Sequence, residues 1–172
     1  MDIDKNLIVI RGNSGSGKST LANNLRELLK KRGLKVALLE QDYIRREILK
    51  EKDELDMVDS IELLKSMIAT VSGLGYVIIL EGIFWGEKYG KFLTELNRTF
   101  GNDKSIFFYY KINFEETLKR HSTKSNSHEF GETELRSWWK DDDSLGFTNE
   151  YILDSSGLEC VLKDVIELVR IA

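Results

Sequence analysis

The chain of 172 residues contains no proline and a single cysteine, Cys160. One thiol cannot form an intramolecular disulfide, so packing must hold the fold, and a reducing cytoplasmic compartment is the expectation. Histidine is scarce too. His121 and His128 give no metal-ligand spacing with Cys160, which argues against a zinc site. No apolar run approaches the ~18 residues that would span a bilayer. Met1 to Lys5 leads straight into a short apolar run, without the basic region of a signal peptide, so no leader or membrane association is expected. A basic excess is also lacking. The net charge is −4, which disfavours nucleic acid as a partner, because phosphate neutralisation supplies most non-specific affinity. It leaves room for a local cationic pocket.

What is present is the balance of an ordinary globular protein, with 41% hydrophobic and 31% charged residues. Length fits one domain, residues 1–172, as a monomer or homodimer. Five short apolar runs read as buried strands: Leu7–Ile10, Val36–Leu39, Tyr76–Leu80, Ile106–Tyr110 and Tyr151–Leu153. They are continuous rather than alternating, as parallel strands covered on both faces are. Helix-period faces lie between them, at Leu21, Leu25, Leu28 and Leu29, at Leu64, Met67, Ile68 and Val71, and from Leu158 to Val169. Asn113 to Glu116 and Ser156 to Glu159 have capping-box spacing. The alternation predicts a single α/β domain with right-handed crossovers. Cys160 falls on the apolar stripe of the last helix, where an inert core thiol is expected. Asp141, Asp142 and Asp143 lack calcium-loop spacing and read as a solvated loop.

Gly12-Asn13-Ser14-Gly15-Ser16-Gly17-Lys18-Ser19 fits G-x-x-x-x-G-K-[ST], the Walker A pattern, at every fixed position, with Thr20 following. A strand leads in and an amphipathic helix leads out, the context the motif needs. Glycines let the backbone approach phosphates closely, and successive N–H groups with the helix N-terminus make an anion nest. Lys18 is expected to reach the β/γ-phosphates of ATP, and the Ser19 hydroxyl to ligate Mg²⁺.

The Gly12–Thr20 loop, the segment Gln41-Asp42-Tyr43-Ile44-Arg45 after the second strand, and Glu81-Gly82 after the third together resemble the P-loop small-molecule kinase group. That group includes gluconate kinase, shikimate kinase, chloramphenicol phosphotransferase, zeta toxins and the polynucleotide kinase domain. The resemblance covers essentially the whole chain. It implies a five-stranded parallel sheet ordered 2-3-1-4-5, helices on both faces, and a small lid around residues 120–140.

A kinase needs a group to orient the acceptor hydroxyl, metal ligands, and cations for the phosphoryl in transit. Asp42 sits just past the second strand, on the edge where open α/β sheets bind ligands. It is read as the acceptor-orienting acid, with a helix N-cap as the alternative. Arg45, three residues on, suits an anionic or hydroxyl-rich acceptor, or a solvated face. Glu81 ends the third strand, where an acid could hold Mg²⁺ or contact the acceptor; a mere cap is the alternative. Gly82-Ile83-Phe84-Trp85-Gly86 follows on the same edge as a possible acceptor wall. Lys119-Arg120-His121-Ser122-Thr123-Lys124 resembles the start of the lid in these kinases. The resemblance makes Arg120 a cation that closes on the phosphates, and puts Lys124 where relatives often have a second Arg. A basic last turn of a helix would also explain them. Arg136 is a further candidate cation, and Asp154–Ser156 matches the position where relatives cradle adenine.

The expected function is therefore an ATP- and Mg²⁺-dependent transfer to a hydroxyl of a small molecule: a nucleoside, sugar, sugar acid or aminoglycoside-like antibiotic. Catalysis would rest on Lys18, Asp42 and Arg120. A 5′-hydroxyl polynucleotide kinase and a nucleotide-binding regulatory module with little transfer activity are the competing readings.

Overall fold

The structure is a computed structural model, and it describes residues 5–51, 58–122, 131–153 and 157–169. All five apolar runs are strands: β1 (Leu7–Arg11), β2 (Val36–Glu40), β3 (Val77–Gly82), β4 (Ser105–Tyr110) and β5 (Glu150–Leu153). They form one parallel sheet in the order β2-β3-β1-β4-β5, the order implied by the family resemblance.

Side chains alternate across the sheet, so each strand feeds two cores. Leu7, Val9, Ile78, Leu80 and Phe107 point to one layer; Ile8, Ile10, Ile79, Ile106 and Phe108 point to the other. The first layer is covered by α3 (Val58–Gly73) and α4 (Gly86–Lys104), and the second by α1 (Lys18–Lys31) and α7 (Leu158–Val169). Leu21, Leu25 and Leu29 form the buried stripe of α1, as their spacing predicts. α4 is the one long helix that the sequence reading did not identify, although Tyr89, Phe92, Leu93 and Leu96 are spaced for a single buried face.

Burial on both faces holds for β1, β3 and β4, every residue of which is buried. It fails at the edges. β2 is mostly half-buried, and in β5 only Leu153 is buried while Tyr151 and Ile152 are exposed. Cys160 is also exposed, contrary to expectation. The stripe of α7 runs through Val161, Val165 and Val169, and one residue before Val161 is rotated about 100° away from it.

α2 (Gln41–Tyr43) is a single turn that widens into a π-helical turn, Ile44–Ile48, in which the Leu49 N–H donates to the Ile44 carbonyl at 3.0 Å. α5 (Phe114–Ser122) and the short α6 (Glu132–Ser137) complete the fold. Asn113 caps α5: its Oδ1 accepts from Glu116 N–H at 2.8 Å, half of the predicted capping box. Ser156, in the other predicted box, lies outside the described residues. Among the described residues no helix is long and apolar enough to cross a membrane.

Candidate active site

The phosphate loop links β1 to α1 at the carboxyl edge of the sheet, where the strand order turns in both directions from β1. Its glycines are demanded by space. A Cβ on Gly12, at φ +146°, would lie 2.5 Å from the Tyr110 carbonyl oxygen, and one on Gly17, at φ +103°, 3.3 Å from Arg120 Nη1. The loop rims a cavity of about 490 Å³ whose walls include Ser14, Gly15, Lys18, Ser19 and Thr20, together with Asp42, Glu81 and Arg120. Gly12, Asn13 and Ser16 shape the loop without lining the cavity.

Lys18 is buried, with its Nζ donating to the Asn13 carbonyl at 2.9 Å and lying 4.0 Å from Glu81 Oε1. Glu81 is an interior residue of β3 and caps no helix. Burial pushes its carboxyl above the usual range, with Lys18 pulling the other way and Asp42 and Glu40 adding to the rise; a hydrogen bond with Ser19 favours the charged form. Ser19 and Glu81 thus stand together at the cavity wall. A hydroxyl and one carboxylate suit Mg²⁺, which keeps several waters and takes its remaining ligands from phosphate. Among the described residues there is no cluster of three or more His, Cys, Asp or Glu to suggest a different metal.

Arg120 reaches over the loop from α5. Its Nη1 donates to the Ser16 carbonyl at 2.7 Å, and its Nε pairs with Glu116 at 2.7 Å, which fixes the fork. The second lid candidate, Lys124, lies outside the described residues, as do His128 and the Asp154–Ser156 loop. Arg136 does not join the site. It is exposed, paired with Glu132 at 3.1 Å and stacked 4.1 Å from the Phe114 ring.

Asp42 lies in the first turn of α2, but the N-cap is Glu40, so capping is not its role. Its half-exposed carboxylate is 3.5 Å from Nη2 of the buried Arg45. Asp42 and Ile83 line both the phosphate cavity and a second cavity of about 220 Å³, whose other walls include Arg45, Trp85 and Tyr89. Of the predicted wall Gly82–Gly86, Ile83 and Trp85 do face this space. Phe84 instead is fully buried, at φ +45°, with its ring edge-on to Tyr89 at 5.2 Å. Gln41 fixes Tyr89 from the other side, donating to its hydroxyl at 2.7 Å.

One cluster was not anticipated. Arg11, the last residue of β1, is fully buried. It donates to the Phe84 carbonyl at 3.2 Å, to Glu150 Oε1 at 2.9 Å, and to both the carbonyl and the carboxylate of Asp143. Asp143 in turn accepts from Gly86 N–H at the start of α4, at 3.0 Å. The solvated reading of the aspartate run is therefore wrong for Asp143, because a buried guanidinium needs its charge answered. Asn13 adds a second tie: its side-chain amide donates to the Lys140 carbonyl at 2.6 Å and accepts from Lys140 N–H at 3.2 Å. The phosphate loop, the Phe84–Gly86 segment and the 138–146 segment are one hydrogen-bonded unit. The signal for it was a charged residue closing the otherwise wholly apolar run of β1.

The sheet order, with the glycine loop between β1 and α1, is that of the P-loop fold. Residues 4–80 match the sequence model of the adenylylsulphate kinase family. Among solved structures, the chain is similar to the APS kinase CysC of Mycobacterium tuberculosis in complex with AMPPNP and APS. The TM-score is 0.72 at 14% identity, covering 97% of this chain and 98% of that one. It is similar also to a gluconokinase from Sinorhizobium meliloti 1021, with TM-score 0.71, 14% identity and coverage of 98% and 93%. A sugar kinase from Janibacter sp. HTCC2649 aligns at TM-score 0.67 and 20% identity, over 98% and 96%. Comparison with curated protein sequences finds no match. The chain shares the fold of these kinases over nearly its whole length.

Proposed function

We propose that the protein transfers the γ-phosphoryl group of ATP to a hydroxyl of a small molecule. The observation that carries this reading is Asp42, a carboxylate on the wall shared by the phosphate cavity and the smaller cavity beside it. An acid at such a junction meets an acceptor hydroxyl on one side and the terminal phosphate on the other.

In the reaction, the acceptor oxygen bonds to the γ-phosphorus as the bond to the β,γ-bridging oxygen breaks, and ADP leaves. Asp42 orients the hydroxyl and takes its proton. Lys18 neutralises charge on the β- and γ-phosphates, and Arg120, already hydrogen-bonded across the loop, does so for the phosphoryl in transit. Arg45 holds Asp42 toward the acceptor side. Ser19 and Glu81 would hold Mg²⁺, which would supply charge neutralisation for the phosphates.

The test is ADP release measured over a panel of hydroxylated compounds with the parent protein and Asp42→Asn. The variant should lose about 10²-fold or more in kcat while its MgATP affinity is kept. Normal kcat with a saturating acceptor would remove Asp42 from the mechanism.

A further inference from the structure

The phosphate loop is gripped from two sides. On one side stands α5, where Thr117 is fully buried against the loop: a Cβ on Gly15 would lie 3.1 Å from its Cγ2. Three residues on, Arg120 donates to the Ser16 carbonyl at 2.7 Å, and its Nε is fixed to Glu116 of the same helix at 2.7 Å. The guanidinium is thus set relative to α5, and its place over the loop follows the place of the helix. On the other side is Asn13. An amide carries a donor and an acceptor on one carbon. Both engage residue 140, the donor on the Lys140 carbonyl at 2.6 Å and the acceptor on the Lys140 N–H at 3.2 Å. The clasp uses main-chain groups of residue 140 and not its side chain.

The two sides meet away from the loop. Trp139, next to the clasped residue, packs edge-to-face with Phe114, the first residue of α5, with ring centroids 5.2 Å apart and planes at 77°. That is a favoured geometry for an aromatic pair. Arg136 lies 4.1 Å from the same Phe114 ring. A closed circuit results, from Asn13 through Lys140, Trp139 and Phe114 into α5, and back to the loop where Arg120 meets Ser16. With nine residues, α5 is shorter than the ~12–15 at which a helix begins to hold by itself, so its position depends on such contacts. Asn13 does not line the phosphate cavity, so any effect it has on a bound nucleotide passes through other residues. We infer that Asn13 is a positioning residue for Arg120, acting through the Lys140 main chain and the Trp139–Phe114 ring pair to hold α5 against the phosphate loop. The role toward ATP rests on the kinase reading above; the mechanical link between Asn13 and α5 does not.

Two measurements test it. In nucleotide-free protein, hydrogen exchange followed by mass spectrometry compares the amides of α5 with those of β1 and α1. Asn13→Ala and Trp139→Ala should each speed exchange in α5 at least about tenfold while β1 and α1 exchange as in the parent. Lys140→Ala, which keeps the main-chain clasp, and Trp139→Phe, which keeps a ring against Phe114, should match the parent. Unchanged exchange in α5, or faster exchange confined to β1 and α1, overturns the inference. The second measurement is a double-mutant cycle on MgAMPPNP affinity by calorimetry. Asn13→Ala should weaken binding about fivefold in the parent but less than about twofold in Arg120→Gln, because a displaced guanidinium and an absent one are alike to the nucleotide. Equal losses in both backgrounds, or no loss in either, overturn the inference and leave the kinase reading standing. A response in α5 exchange from a protein that does not bind MgAMPPNP upholds the link between Asn13 and α5 and refutes the kinase reading.

Discussion

Glu81 carries two opposing demands, because a buried carboxylate is unfavourable to the fold yet is, with Ser19, the ligand proposed for Mg²⁺. Burial raises its pKa in the folded state. The folded protein therefore holds this proton more tightly than the unfolded chain. The associated stability is present in full at low pH and is lost as pH rises through the folded-state value. Glu81→Gln, which cannot ionise, should be more stable than the parent at pH 8, with the gap narrowing toward pH 5 in urea unfolding. The same variant should need more Mg²⁺ to bind ATP. A gap that widens on acidification would contradict the assignment. Lys18 behaves differently, as its Nζ donates to the Asn13 carbonyl and lies 4.0 Å from Glu81. Lys18→Ala should abolish transfer and weaken MgATP by at least about tenfold, or 1.4 kcal/mol, with little change in thermal midpoint. Unchanged calorimetric affinity would take the lysine out of the site.

At the scale of elements, the local signals were the legible ones. Strand β1, the glycine loop and α1 follow one another within 25 residues, and each is specified by its neighbours in sequence: apolar run, spaced glycines, leucine stripe. Asp42 and Glu81 were legible because strand ends in this architecture lie at one edge. What escaped was long-range. Arg11 and Asp143 are 132 residues apart, and nothing beside Asp143 in the sequence distinguishes it from Asp141 and Asp142. Only the fold brings the arginine to it. Cys160 was misplaced for a geometric reason, since an apolar residue next to a helical stripe is not on it. The Arg11 cluster gives a prediction at this scale. Asp143→Ala leaves the buried guanidinium with Glu150 as its one carboxylate, beside the carbonyls of Phe84 and residue 143, and removes the acceptor of Gly86 N–H at the start of α4; it should cost about 3–5 kcal/mol. Urea unfolding checks it, with Asp142→Ala, whose side chain is exposed, as the neighbour that leaves the midpoint unmoved.

Over the whole molecule, the charge of −4 gives little net attraction for a polyanion. The basic run Lys30-Lys31-Arg32 lies at the far end of α1, on the order of 20 Å from the phosphate loop. Single- and double-stranded oligonucleotides should show no measurable binding by fluorescence anisotropy near physiological salt, where non-specific binders reach about 10⁻⁴–10⁻⁶ M. Phosphorylation of a 5′-hydroxyl oligonucleotide, lost in Asp42→Asn, would reverse that expectation. The strand order has a consequence of its own for synthesis on the ribosome. β1 is made before the other strands and yet lies in the middle of the sheet, with Leu7 beside Ile78 on one flank and Ser105 on the other. Its five buried residues must therefore wait for β3 on one flank and, longer still, for β4 on the other. At about 5–20 residues per second that is a delay of several seconds, during which Leu-Ile-Val-Ile is open to chaperones or to other nascent chains. Arg11, waiting for Glu150 in β5, ties the end of β1 to a residue made 139 positions later.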